Sequence, residues 1–338
     1  DDLTNGLVEN PLMPVTESVS NETVLCNDFG LENCVKTPLY AVPIVIGVVL
    51  AITLNLFNII VMSKINVHLG YRGYFLMNLA VADLLSGVVL SSAIYYSVHQ
   101  RWPCRKLASD MVGFFTSVVF CESILSLTMV SCERYLSVVW PLHYPRWVNQ
   151  KSCVIVIVCS WLQSIAIFSM PFLGIGNFSY EWMSYVSHYD FRSSIASASL
   201  GIMITVSTVA IVTFCFVRIF LITRHHVRTI NAQMSSVPNS TAKRSHLGKG
   251  IKMIGVTVLV FALLWFPYVI METVYAILQV TPSRLADFIG GYLGGCNAFI
   301  NPLIYYYTSD LYRKKSREFL RRVLCRKALE ADNNAALE

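Results

Sequence analysis

Glu133, Arg134 and Tyr135 close a long apolar run, roughly Leu107 to Val139, that few charges interrupt. Lipid penalises an unpaired guanidinium, so Arg134 needs a partner, and the adjacent Glu133 carboxylate offers one. An ion pair at a membrane edge reads as a functional site; the plainer alternative is an arginine reaching for headgroups. Asp83 stands inside another apolar run, Asn78-Leu79-Ala80-Val81-Ala82-Asp83. An acid there must meet water, a cation or hydrogen-bond donors. Asn55, Asn297 and Asn301 are amides in similar surroundings, where a single one serves as helix glue. Pro267, in Trp265-Phe266-Pro267, and Pro302, in Asn301-Pro302-Leu303-Ile304-Tyr305, remove backbone donors and bend their helices. Bent helices with polar groups at the bend can pack in two ways, which suits a switch. Glu122, deep in the third run, reads as a neutral acid bonded to the fourth or fifth. No HExxH, phosphate loop or triad spacing is present, so the chemistry is that of a switch and not of an enzyme.

The elements that hold these residues must lie in lipid. Of 338 residues, 55% are hydrophobic and only 14% charged, against about 25% charged in soluble domains, and the mean hydropathy is +0.55. A spanning helix needs ~20 mostly apolar residues. Seven stretches qualify: about Leu39–Met62, Tyr74–Tyr96, Leu107–Val139, Cys153–Gly174, Ile195–Thr223, Ile251–Leu278 and Leu285–Tyr307. Their length excludes the alternating pattern of an outer-membrane barrel. The fold class is therefore an all-α membrane protein, a seven-helix bundle. Residues 1–37 are a polar, flexible segment, 38–308 the bundle, 309–325 an amphipathic eighth helix and 326–338 a tail. The net charge of +6 is segregated: acids precede the first span, while the loop from Arg224 to Lys249 and the tail from Arg313 to Lys327 are basic. The positive-inside rule puts the N-terminus outside and the tail in the cytosol of the plasma membrane. The basic clusters sit beside spans, which favours anionic membrane lipid and a cytosolic protein over nucleic acid. Sequons at Asn21 and Asn177 fall outside as glycosylation candidates, and that at Asn239 falls inside. Cys26 and Cys34 are close enough to pair, with Cys104 an alternative partner for either; Cys325, ending the amphipathic helix, is a palmitoylation candidate or a plain thiol.

These motifs, in this order and at these separations, resemble the rhodopsin-like (class A) G-protein-coupled receptors over about residues 38–325. Asn55, Asn78 to Asp83, Glu133 to Tyr135 with Pro141-Leu142, Trp161, Trp265 to Pro267 and Asn301 to Tyr305 carry the resemblance. It implies that Asp83, Asn55, Asn297 and Asn301 form a polar cluster that holds sodium as an allosteric ion, and no other cofactor. It implies that Trp265 is a toggle at the pocket floor, that Ile124 and Phe261 belong to a packing switch, and that Arg134 leaves Glu133 to meet the G protein. Tyr305, after Asn301-Pro302, would swing inward, and Leu142 would pack on the G-protein surface. A heterotrimeric G protein, an arrestin and a receptor kinase are the implied protein partners.

The sequence departs from that pattern in places. The usual extracellular disulfide would start at Ser109, and the second outer loop, about Phe172–Arg192, has no cysteine. The fifth span has Thr208 for the usual proline and Phe216 for the usual inner tyrosine, and Leu247 stands where many relatives carry an acid facing Arg134. A weaker inactive lock and raised basal signalling are expected. Thr116 replaces the aspartate of aminergic receptors, and no lysine stands in Gly290 to Gly295 for a retinal Schiff base. Val112 and Gly113 replace the charged anchors of lysophospholipid and melanocortin receptors. Thr116, Ser117, Phe120, Trp265, Tyr268, Val269, Glu272, Gly291 and Gly295 would line an apolar, aromatic pocket. Glu272 would attract a cationic group or bond only to Tyr275 or water. The missing bridge and proline are similar to the lipid, cannabinoid and melanocortin branch, so a lipid-like or peptide ligand is expected. The alternatives are a ligand-independent, constitutively active receptor and, more remotely, a seven-span transporter, for which neither repeats nor paired broken helices are evident.

Overall fold

The computed structural model describes residues 31–99, 106–181, 186–191, 195–233, parts of 256–274 and 284–335. Among the described residues, eight main helices organise the chain: α1 (Leu31–Leu69), α2 (Arg72–His99), α3 (Lys106–Val139), α4 (Gln150–Phe168), α5 (Ile195–Gln233), α6 (Leu259–Tyr268), α7 (Arg284–Thr308) and α8 (Asp310–Ala335). A one-turn helix, Tyr144–Trp147, precedes α4, and a 3-10 turn, Met170–Leu173, follows it. Among the described residues, five helices are long and apolar enough to cross a membrane, α1 to α5. With α6 and α7 they make a seven-helix bundle.

Local chemistry sets the joints. Gly70 takes φ 59°, the left-handed conformation that closes a helix, and the tight turn from α1 to α2 follows. Asn149 caps α4 by accepting from the Ser152 amide while the Ser152 hydroxyl bonds back to the Asn149 N–H, a reciprocal capping box. Pro302 lies inside α7. The helices outrun the apolar stretches: α1 begins at Leu31, α5 continues to Gln233, and α8 reaches Ala335, beyond the expected stop near Cys325. Backbone hydrogen bonding needs no lipid, so a helix of good formers continues past the hydropathic edge.

Among the described residues, five buried clusters fill the bundle, and three of them position the site. Val61, Met62, Ile65, Leu76, Val130, Ile304, Tyr305 and Tyr312 pack at the Arg134 end, locking α8 under α1, α2 and α7. Leu79, Ile124, Leu127 and Phe261 form the middle layer. Val118, Cys121, Phe168 and Tyr189 close the opposite end. Outward residues such as Val42, Val49, Val154, Ile155, Leu162 and Phe214 are exposed and apolar, as a lipid-facing surface requires. Between α4 and α5 the chain forms a small antiparallel hairpin, β1 (Phe178–Glu181) and β2 (Val186–Tyr189), registered Phe178 to Tyr189 and Glu181 to Val186.

Candidate functional site

Glu133 is buried at the end of α3 and is held by three donors. Arg134 forks onto it, Nε to Oε2 at 2.6 Å and Nη2 to Oε1 at 2.8 Å, and the Tyr144 hydroxyl donates to Oε1 at 2.6 Å. Removing one partner of such a buried pair strands a charge. Burial first, then the Glu133 carboxylate it faces, push the Tyr144 phenol up, so it stays a donor. Arg72, at the start of α2, lies close enough to feel Arg134, Glu133, Tyr305 and Tyr144. Tyr135 points the other way, its ring 5.6 Å from Phe214 of α5, beside Val212, Phe216 and Ile219. Tyr305 is buried, 6.1 Å ring to ring from Tyr312. Leu142 is 91% exposed, just before an aromatic stack in which His143 lies 5.2 Å from Trp147. Tyr144 and Arg72 carry no motif signal of their own, so the sequence reading passed over them.

The amides and the acid of the middle layer converge. Ser123 donates to Asp83 Oδ1 at 2.6 Å and Asn301 Nδ2 to Oδ2 at 2.9 Å. Asn297 Nδ2 reaches Ser123 Oγ at 3.4 Å, and Asn55 Nδ2 ties α1 to α7 through the Ala298 carbonyl at 2.5 Å. Ser123 was missed from sequence, being one serine among several on α3. The donor set suits a monovalent cation. It offers the Asp83 carboxyl, with lone pairs to spare, and the Ser123 hydroxyl. Ile124 and Phe261 meet in the layer beside it, with Trp265 packed on them.

At the opposite end the hairpin seats on α3. The Tyr189 amide donates to Ser117 Oγ at 2.8 Å, and Ser117 donates to the Gly113 carbonyl at 2.8 Å, so that hydroxyl is committed. Ser109, at the position where the family's usual bridge would start, places its Oγ 3.4 Å from Ser187 Oγ: a hydroxyl contact stands in place of the disulfide that the sequence lacks. Tyr189 is wrapped by Phe168, Phe178 and Phe191, with centroids 5.6, 6.3 and 4.9 Å away, and its hydroxyl meets Ser197 Oγ of α5 at 3.0 Å. Gly176, at φ 82°, admits the tyrosine tip, which a Cβ there would meet at 2.6 Å. Asn177 is exposed at the foot of the hairpin.

Beneath the hairpin, Phe120 lies 6.4 Å from Trp265 ring to ring, and Trp265 lies 6.1 Å from Tyr268 and 6.2 Å from Phe261. Thr116, one helical turn from Phe120, is buried with an unpartnered Oγ1, and Trp265 Nε1 is likewise buried and unpartnered. Gly294 backs the indole, Gly291 is half-buried, and a Cβ at Gly295 would meet open space. These residues form an aromatic wall with two unmet polar atoms. Asn21, Cys26, Cys104, Leu247, Val269 and Glu272 lie outside the described residues, as do the side chains of Cys34 and Cys325.

Known proteins resemble this chain in sequence and in fold. Bovine alpha-1A adrenergic receptor is 25% identical over 301 residues, covering 78% of this chain and 64% of that receptor, so the chain spans less than two thirds of its length. Mouse G-protein coupled receptor 52 is 28% identical over 265 residues (73% of this chain, 70% of the relative), and human probable G-protein coupled receptor 21 is 26% identical over 255 residues (71% of each). Squid rhodopsin superposes with a TM-score of 0.72 at 20% identity, over 85% of this chain and 86% of its own, a likeness of fold. The family model described as 7 transmembrane receptor (rhodopsin family) matches residues 45–305. The chain therefore belongs to the rhodopsin family of seven-transmembrane receptors, multi-pass membrane proteins of signal transduction and not enzymes.

Proposed function

We propose that the protein is a plasma-membrane receptor, N-terminus outside, that passes a non-aminergic, lipid-like or peptide signal to a heterotrimeric G protein. One observation carries the reading: Arg134 is held by Glu133 on a shared edge with Tyr144, beside the 91% exposed Leu142. Freeing that guanidinium presents a cation and an apolar tip together. The aromatic wall around Trp265, with Thr116 Oγ1 and Trp265 Nε1 unmet, supports an apolar ligand with one or two hydrogen-bonding groups. Sodium at Asp83, Ser123 and Asn297 would compete with the Asn301 amide for the carboxylate and so bias α7. Arrestin and a receptor kinase would use the same face. The basic, exposed side of α8 (Lys314, Arg317, Arg321, Arg322) suits anionic lipid.

The hairpin favours a second reading, a receptor active without ligand. Its Tyr189 amide already occupies Ser117, which a ligand would otherwise use. Recruitment of a panel of G-protein subtypes, with no ligand and then with lipid and peptide libraries, separates the two. Signal equal to mock-transfected cells until a ligand is added supports the first; high basal recruitment unchanged by the libraries supports the second. No recruitment of any subtype under either condition would defeat both.

A further inference from the structure

Three buried carboxyl groups can be compared within this bundle. Glu133 has donors on both oxygens, Arg134 Nε on Oε2 and Arg134 Nη2 with the Tyr144 hydroxyl on Oε1. Asp83 likewise has Ser123 on Oδ1 and Asn301 on Oδ2. An ionised carboxylate shares its charge between two equivalent oxygens, and both of these sites serve both. Glu122 differs. It is 0% exposed, and every hydrogen bond it accepts falls on Oε1. Asn78 Nδ2 donates at 2.9 Å, Ser160 Oγ at 2.9 Å and Ser126 Oγ, weakly, at 3.4 Å. Oε2 has no partner, and neither has the Ser164 hydroxyl, also 0% exposed, which lies against the same carboxyl.

The orientation of Asn78 is fixed from its far side. The Trp161 indole N–H can only donate, and it donates to Asn78 Oδ1 at 3.0 Å. The Asn78 amide N–H groups therefore face Glu122 Oε1 and, at 2.7 Å, Ser126 Oγ. The groups facing the carboxyl are Asn78 of α2, Cys121 and Ser126 of α3, and Ser160 and Ser164 of α4. None of them carries a positive charge, and a bare anionic oxygen inside a bundle is costly. One oxygen crowded with donors and one facing only a hydroxyl is the pattern of a carboxylic acid, carbonyl on one side and O–H on the other.

We propose that Glu122 is a proton-binding site: it takes one proton from water onto Oε2, donates it to Ser164 Oγ, and as a neutral acid joins α2, α3 and α4. Ser123, the next residue on α3, serves Asp83. Adjacent residues thus point into two polar nodes, one with donors on both carboxyl oxygens and one with its hydrogen bonds on a single oxygen.

Isotope-edited infrared spectroscopy of the purified full chain in lipid nanodiscs tests this directly. With carboxyl-13C-labelled glutamate, the expected spectrum has a protonated-acid carbonyl band that shifts with the label and in heavy water, persists at neutral pH and is missing from Glu122→Gln. A wild-type spectrum without that band, or a band retained in Glu122→Gln, overturns the proposal. Thermal unfolding gives a second readout, because glutamine copies the neutral acid: an acceptor for Asn78 and a donor for Ser164. Glu122→Gln should unfold within roughly 2 °C of the parent, and Glu122→Ala, which strands the donors, roughly 5 °C lower. A glutamine variant that falls as far as the alanine variant, or fails to fold, counts against a neutral site and for a charged one.

Discussion

Gly113→Ala tests how the hairpin is held without a disulfide. A Cβ at Gly113 would lie 2.8 Å from Ser187 Oγ and 2.9 and 3.1 Å from Phe178 Cδ1 and Cβ. Ser187 is fully buried, and Phe178 is pinned by Phe172 and Tyr189, with ring centroids at 5.3 and 6.3 Å, so neither can give way alone. The hairpin must lift. Overpacking of this kind costs about 1–3 kcal/mol. Losing the bond from the Tyr189 amide to Ser117 adds about 0.5–1.5 kcal/mol. Taking ~2 kcal/mol as the penalty on the seated state, its opening becomes roughly 30-fold more frequent, since each 1.4 kcal/mol is tenfold. Hydrogen exchange reads this at the Tyr189 amide, whose acceptor is a single side chain, with the α2 amides around Leu79 as an unaffected control. Adding Ser187→Gly should restore part of the protection by removing the closest clash. A Tyr189 exchange rate in Gly113→Ala within about twofold of the parent would refute the seating, because a gap under 3 Å to a fixed neighbour cannot be absorbed without movement.

Three further outcomes follow from the other two layers. Arg134→Ala should abolish G-protein activation while leaving surface expression intact, read by recruitment and cell-surface labelling together. Ser123→Ala removes the 2.6 Å donor on Asp83; such a hydrogen bond is worth about 0.5–1.5 kcal/mol. The variant should unfold at lower temperature and lose any stabilisation on replacing choline with sodium; a sodium-dependent shift equal to the parent's would speak against the cluster as an ion site. Tyr144 keeps its proton more tightly folded than unfolded, because burial and Glu133 raise its phenol. Its contribution is therefore complete below the ordinary phenol value of ~10 and is lost only as pH rises through the higher folded value. Tyrosinate absorbance should then appear later in the parent than in Glu133→Gln.

Much of the bundle was readable from residue order because lipid imposes one rule, ~20 apolar residues per crossing. The polar residues inside those runs stood out for the same reason, and Asp83, Asn301, Glu133 and Arg134 meet as their chemistry requires. What escaped depends on pairing across distance. Of the hairpin strands only Phe178–Glu181 alternates apolar and polar residues, Val186–Tyr189 does not, and four residues are too few to distinguish a strand from a loop. Ser123 looks like any of the serines of α3 until Asp83 is placed opposite. Tyr144 sits eleven residues beyond Glu133, brought back only because the chain folds over at Pro141 and Pro145. Hydropathy marks the stretch that can cross lipid and not the helix that carries it, so α1 and α5 run on past their apolar stretches, through good helix formers such as Arg224 in α5.

If Leu142 docks as proposed, it is the stalk beneath it that makes the tip usable. Trp140, His143 and Trp147 lie on one another, with centroids 5.2 to 6.4 Å apart, Tyr144 is bonded to Glu133, and the Asn149 cap fixes the exit into α4. A loop this short and this braced has little freedom left to lose. Whatever surface receives Leu142 gains the burial of a nearly naked isobutyl group without first ordering the segment that carries it. The association is then limited by how well the receiving hollow is shaped, and mutations that loosen the tryptophan stack should slow docking even though they never touch the partner.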